Sequence, residues 1–172
     1  MSVARRQVPT QCSLLAGTAN DAYWDCYEAP LARTDLSMQQ LCLAVFAHHP
    51  MWMKRLLALR TRLVAPFGIG GATLRELTRP VEDRQYAIGE RIARFELRAQ
   101  TDCELIMGGD DKHLDFRVSL AKIIEEGRTT VALTTLVMPH NLFGRIYLRA
   151  ILPFHRFGVR KLLENAAAAG RI

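Results

Sequence analysis

No stretch of about 18 consecutive apolar residues occurs in this chain, so no membrane-crossing helix is expected. Cys12, Cys26, Cys42 and Cys103 are far apart, with no CxxC pair and no Cys/His set at metal-ligand spacing. Reduced thiols, no metal and a cytoplasmic setting are the corresponding expectations. The chain has no GxGxxG loop for a dinucleotide and no GxSxG elbow for a nucleophilic serine. Helix-turn-helix and aromatic RNA-binding motifs are also missing, so nucleic acid is not an expected partner. Arg5 and Arg6 precede Val8-Pro9-Thr10-Gln11-Cys12-Ser13, which is too polar for a signal-peptide core. No internal repeat or low-complexity tract occurs apart from Ala166 to Ala169.

What is present is an ordinary globular composition with a basic balance. The 172 residues are 49% hydrophobic and 23% charged, with a net charge of +6. That length fits one domain, read as 21–169, behind a partly ordered extension over 1–20 with a docked patch at Cys12 to Ala16. Asp21 to Ala29 is rich in aromatics and reads as a strand ended by Pro30. Ser37 is a natural N-cap, and Gln40 completes a capping box for a helix from Met38. Its stripe is Met38, Leu41, Cys42, Val45 and Phe46. Pro50 suits the start of a second helix, to about Ala65, with Trp52, Leu56, Leu59 and Leu63 on one face. Residues 73–90 read as a short strand or a lid-like loop.

The β signal resumes at 91, with strands expected near 92–99, 103–108, 113–124 and 128–138 and a hairpin turn at Glu125-Glu126-Gly127-Arg128. A long helix follows from about Leu142. Phe143, Ile146, Tyr147, Ala150, Ile151, Phe154, Phe157 and Leu162 share one broad face. A second apolar row, Leu148, Leu152, Val159 and Leu163, lies beside Arg145, Arg149, Arg156 and Arg160. Pro153 should kink or split this helix. Short hairpins favour an antiparallel sheet. The fold class is therefore α+β, in a helix-grip arrangement: a curved antiparallel sheet wraps the long C-terminal helix, with two short helices after the first strand.

The most informative stretch is Gly109-Asp110-Asp111-Lys112-His113-Leu114-Asp115-Phe116-Arg117-Val118-Ser119-Leu120. Strict alternation sends His113, Asp115 and Arg117 to one face of a strand and Leu114, Phe116, Val118 and Leu120 to the other. Two readings of the polar row stay open. It is a solvated outer face, or it lines a cavity and orients a ligand carrying an anionic or carbonyl group. Phe116 and Leu114 favour the first if they face the long helix. Asp110-Asp111 reads as a turn. Asn141 is a natural N-cap for that helix. His140, beside it, closes the preceding strand or acts as a base at the cavity mouth. His155 follows the proline and reads as a satisfied interfacial histidine or as part of the site. Tyr147 reads as core, with a hydroxyl that could meet a ligand.

The same residues resemble a known family. Gly109 to Ser119, with His140-Asn141, Gly144-Arg145-Ile146-Tyr147-Leu148 and Pro153-Phe154-His155-Arg156, is similar to the bacterial family of unknown function DUF2867, over roughly 20–165. The resemblance implies the START/Bet v 1-like (SRPBCC) superfamily of helix-grip domains. Its members bind hydrophobic ligands or, in some branches, act as cyclases, dehydratases or hydrolases. Fold analogy of this kind does not itself assign a function.

The expected function is binding of a small hydrophobic molecule with a polar or acidic end, between the sheet and the C-terminal helix. His113, Asp115, Arg117, Tyr147, His140 and His155 are the candidate ligand-binding residues, with Asn141 and Ser37 as structural caps and no cofactor. The alternatives are an enzyme of the polyketide-cyclase/dehydratase type in the same pocket, and an interaction module or homodimer with no internal ligand. The arginine row reads as a solvated face. With the neighbouring leucines it is also of the kind that docks on a partner subunit or an anionic membrane, although a membrane is not an expected partner.

Overall fold

The computed structural model describes residues 3–9, 12–15, 21–67, 71–82 and 84–172. Strand β1 (Ala4–Arg5) precedes the long strand β2 (Tyr23–Pro30). Helices α1 (Met38–Phe46), α2 (Met51–Val64) and α3 (Leu74–Thr78) follow. Then come β3 (Arg91–Ile92), β4 (Phe95–Gln100), β5 (Glu104–Asp110), β6 (Leu114–Glu125), β7 (Arg128–Pro139) and α4 (Leu142–Ala168). Among the described residues, seven strands form one curved antiparallel sheet in the order β1-β2-β7-β6-β5-β4-β3. The α+β class and the C-terminal helix over the sheet are as the sequence indicates.

The alternation in β6 sets the sheet's two faces. Phe116, Val118 and Leu120 join Leu97, Leu105, Met107, Val131 and Leu133 under α1 and α4. Helix α1 delivers the stripe read from sequence: Met38, Leu41, Cys42, Val45 and Phe46 are all buried, and Ser37 and Gln40 close the capping box. Each such leucine contributes roughly 1.5–3 kcal/mol by leaving water.

The opposite face is covered in part by the N-terminal segment. Cys26, Ala121, Ile123 and Ala132 pack with Val8. The buried Glu104 carboxylate accepts from the Ser13 backbone N–H at 3.2 Å and from the hydroxyls of Ser13 and Ser119. Cys12 is buried beside it, so the expected patch is docked at Cys12 and Ser13, while Ala16 lies outside the described residues.

Several expectations are corrected. Residues 74–78 form α3, neither a strand nor a loop, because Thr73 and Glu76 make a reciprocal capping box. The strand expected over 92–99 is two strands, turned at Ala93 and Arg94 with φ of 47° and 91°. No glycine marks that turn, so it left no signal. The turn at Glu126 (φ 49°) and Gly127 (φ 74°) is where the glycine places it. Helix α4 runs through Pro153 unbroken.

The largest correction concerns α4. Val159 and Leu163 of the second row are buried together with Leu162 of the broad face and with Ala166, while Ile146, Phe154 and Phe157 of the broad face stand exposed. Helix α2 lies antiparallel along α4: Trp52 meets Phe157 with ring centres 5.8 Å apart, and the Arg60 Nε donates to the Tyr147 hydroxyl at 2.6 Å. Of α2 only Met53 is buried, and Trp52, Leu56, Leu59 and Leu63 face outward. Periodicity fixes which residues share a face, not which face meets the sheet.

Candidate functional site

The sequence-selected residues divide into two groups. The first lies where β6 begins and β7 ends. The His113 carbonyl accepts from the His140 N–H at 2.9 Å, and the His113 Nδ1 lies 3.1 Å from the Asn141 amide nitrogen. The His113 ring rests against Phe143, with centres 4.8 Å apart. The Asn141 Oδ1 accepts from the Gly144 N–H at 2.9 Å, which makes it the N-cap of α4. Gly144 is required there, since a Cβ would run into the His113 carbonyl oxygen. Asp115 pairs with the His140 Nε2 at 3.2 Å and accepts from the Asp111 N–H at 3.3 Å.

Arg117 pairs with Asp110 at 2.5 Å and donates to the carbonyls of Gly109 and Phe116. Arg98 reaches the other Asp110 oxygen at 2.8 Å. Partial burial pushes the Asp110 carboxyl up, and Arg117 and Arg98 together hold it net below its ordinary value. Asp115 and Arg117 alternate with Phe116 and so lie on the face turned away from α4. Both are partly exposed, with side chains 25% and 21% accessible. This group bonds largely to itself, tying the β5–β6 hairpin to the start of α4.

The second group lies under the first half of α4. Asp25, with a side chain fully shielded from solvent, receives the Tyr23 hydroxyl at 2.7 Å and sits 3.2 Å from the His155 Nε2. Burial pushes the Asp25 carboxyl up, but His155, by hydrogen bond and charge, and Tyr23 bring it net below the usual range. Burial drives the Tyr23 phenol up to about 12, against the opposing pull of Arg156, whose Nε donates to its oxygen at 3.1 Å.

Beside this network a groove of about 490 Å³ opens between the start of β2, the end of β7 and about two turns of α4. Ala22, Pro139, Leu148 and Leu152 give it apolar walls, and Tyr23, Arg145 and Arg149 give it polar ones. Arg145 pairs with Asp21 at 2.9 Å. Arg149 has no acidic partner among the described residues. Of the six sequence-selected residues, His155 meets the lining residue Tyr23 edge to face at 6.5 Å. Tyr147 instead faces Arg60 of α2.

Sequence reading missed Asp25, Tyr23 and Arg149. A signal for Asp25 existed: it is the lone acid among the inward positions Tyr23, Asp25 and Tyr27 of an aromatic strand. Such an acid needs buried partners. Among the described residues, no three His, Cys, Asp or Glu side chains gather as a metal site, and no helix is long and apolar enough to cross a membrane.

The family model described as "Protein of unknown function (DUF2867)" matches residues 18–162. The chain belongs to the DUF2867 family. That match contains both groups and the groove between β2, β7 and α4. No curated protein and no solved structure matches the chain. The DUF2867 domain is uncharacterised, so its name adds no activity.

Proposed function

We propose that this DUF2867 chain is a helix-grip domain of the START/Bet v 1-like kind. Its role is to bind a small, largely hydrophobic molecule with an acidic end in the groove beside α4. The observation that carries this reading is the Arg149 guanidinium, without an acidic partner among the described residues, beside the apolar walls of Leu148 and Leu152 and the Tyr23 hydroxyl. The groove volume falls within the roughly 300–1,000 Å³ of small-molecule sites. Apolar walls supply affinity, and a guanidinium holds a carboxylate or phosphate by paired hydrogen bonds. In this reading the Asp25–His155 pair holds Tyr23 in place. His113, Asp115, Arg117 and His140 brace the start of α4 instead of touching the ligand.

Native mass spectrometry of freshly purified protein tests the proposal. A co-purifying small molecule is expected on the wild type and is expected to be lost from Arg149→Glu. An adduct retained at equal occupancy by that variant would exclude the groove.

One observation favours an enzyme in the same groove. Asp25 and His155 form a charge-oriented pair 3.2 Å apart, as an acid/base histidine requires. Catalysis would give a substrate turnover abolished by His155→Gln with the ligand still bound.

A further inference from the structure

The fold leaves a second surface unused by the groove reading. The outward faces of α2 and α4 carry exposed apolar side chains and meet at the Trp52–Phe157 ring contact. Leu59 is 53% exposed, Leu63 63%, Phe154 61% and Phe157 59%, and Trp52 and Ile146 are exposed with them. Lone exposed leucines are ordinary on a protein surface, but aromatic and aliphatic side chains exposed together on two touching helices are not.

The charge carried by these two helices is almost all basic. Every charged residue of α2 is cationic: Lys54, Arg55, Arg60 and Arg62. In α4, Arg145, Arg149, Arg156, Arg160 and Lys161 are met by a single acid, Glu164, near the helix's far end. These two helices therefore carry an excess of basic charge larger than the +6 of the whole chain.

That combination selects among occupants. A second copy docking face to face would set cationic rows against cationic rows, because a two-fold contact pairs a patch with itself. A partner helix needs a furrow to lie in. Between α2 and α4 the Trp52–Phe157 ring contact and the Arg60–Tyr147 hydrogen bond already bridge the two helices. What remains is a broad apolar ridge with basic flanks. A ridge of this kind suits an anionic lipid surface, with aromatic and leucine side chains at the acyl boundary and guanidinium groups among the phosphates.

We infer that the outward α2–α4 face, led by Trp52, Leu59, Leu63, Phe154 and Phe157 between basic flanks, docks this protein on an anionic bilayer. The protein lies on the bilayer and does not cross it. The inference does not depend on the groove: Arg55 and Arg62 line no part of it.

Co-sedimentation of the full chain with phosphatidylcholine vesicles, with and without about a third phosphatidylserine, tests it. Binding is expected only to the anionic vesicles and is expected to weaken with salt. Arg55→Gln with Arg62→Gln should lower partitioning about 25-fold, at about fivefold per cation near the surface. Leu59→Ser with Leu63→Ser should lower it by about tenfold or more. Arg128→Gln, at the β6–β7 turn, removes one cation away from this face and should change little. Because all these side chains are exposed, the variants keep the fold, which circular dichroism verifies. Brominated acyl chains should quench Trp52 fluorescence in the wild type. Three results would each overturn the inference: equal or absent binding to both vesicle types, anionic binding indifferent to both double variants, or capture of a soluble acidic amphipathic helix by this face without any preference for vesicles.

Discussion

Acidification from pH 7.5 to 5 should weaken this fold through one histidine. His49 follows α1 and is 9% exposed. The Arg94 Nη2 lies 2.9 Å from its Nε2. A guanidinium can only donate, so Nε2 accepts and the ring is neutral. Burial, and then the Arg94 charge, push His49 down to about 3. Burial also pulls Arg94 down to about 10. In the unfolded chain His49 titrates near the ordinary ~6.5. Above that value neither state binds the proton and nothing is lost. Below it the unfolded state binds the proton and the folded state does not, so stability falls with pH until the folded value near 3 is reached. At pH 5 the accumulated loss is about 2 kcal/mol. The assay is urea unfolding at pH 7.5 and 5 for the wild type and His49→Gln, whose amide oxygen can still accept from Arg94. His48, also depressed by burial, is present in both proteins and cancels. The wild type should lose about 2 kcal/mol more than the variant. Equal losses would refute a neutral, charge-opposed His49.

Other outcomes follow from single contacts. Asn141→Ala should cost about 1 kcal/mol in chemical denaturation, because the Gly144 N–H loses its cap. Gly144→Ala should cost more than Asn141→Ala, since its Cβ meets the His113 backbone and not a flexible side chain. Asp25→Asn should cost about 2 kcal/mol at pH 7 by weakening the bonds to His155 and Tyr23. The depressed Asp25 carboxyl stabilises the fold above its unfolded value, and that stability is lost as pH falls through its folded one. The variant should therefore show a shallower decline below about pH 4. Leu163→Ala should cost about 2–5 kcal/mol by calorimetry.

Much of the fold was legible because its local signals agree. The Ser37 capping box, the glycine in the β6–β7 turn and the alternation of β6 each name one conformation. The turn at Ala93 and Arg94 was illegible because residues that rarely adopt positive φ occupy it. The orientation of α4 was illegible for a different reason. Its sequence is apolar on two sides, and only the presence of α2 and the solvent decides which side meets the sheet. The proposed groove was illegible as well. His113, Asp115 and Arg117 attract attention because charged groups in one strand are easy to see. The groove, by contrast, is assembled from β2, β7 and α4, which lie more than a hundred residues apart in sequence between Tyr23 and Arg149.

Chemical-shift mapping of the isotope-labelled protein with dodecyl phosphate tests the central claim most directly. The account predicts saturable shifts centred on Tyr23, Leu148, Arg149 and Leu152, abolished by Arg149→Glu. Shifts centred on Asp115 and Arg117, or none that saturate, would contradict it.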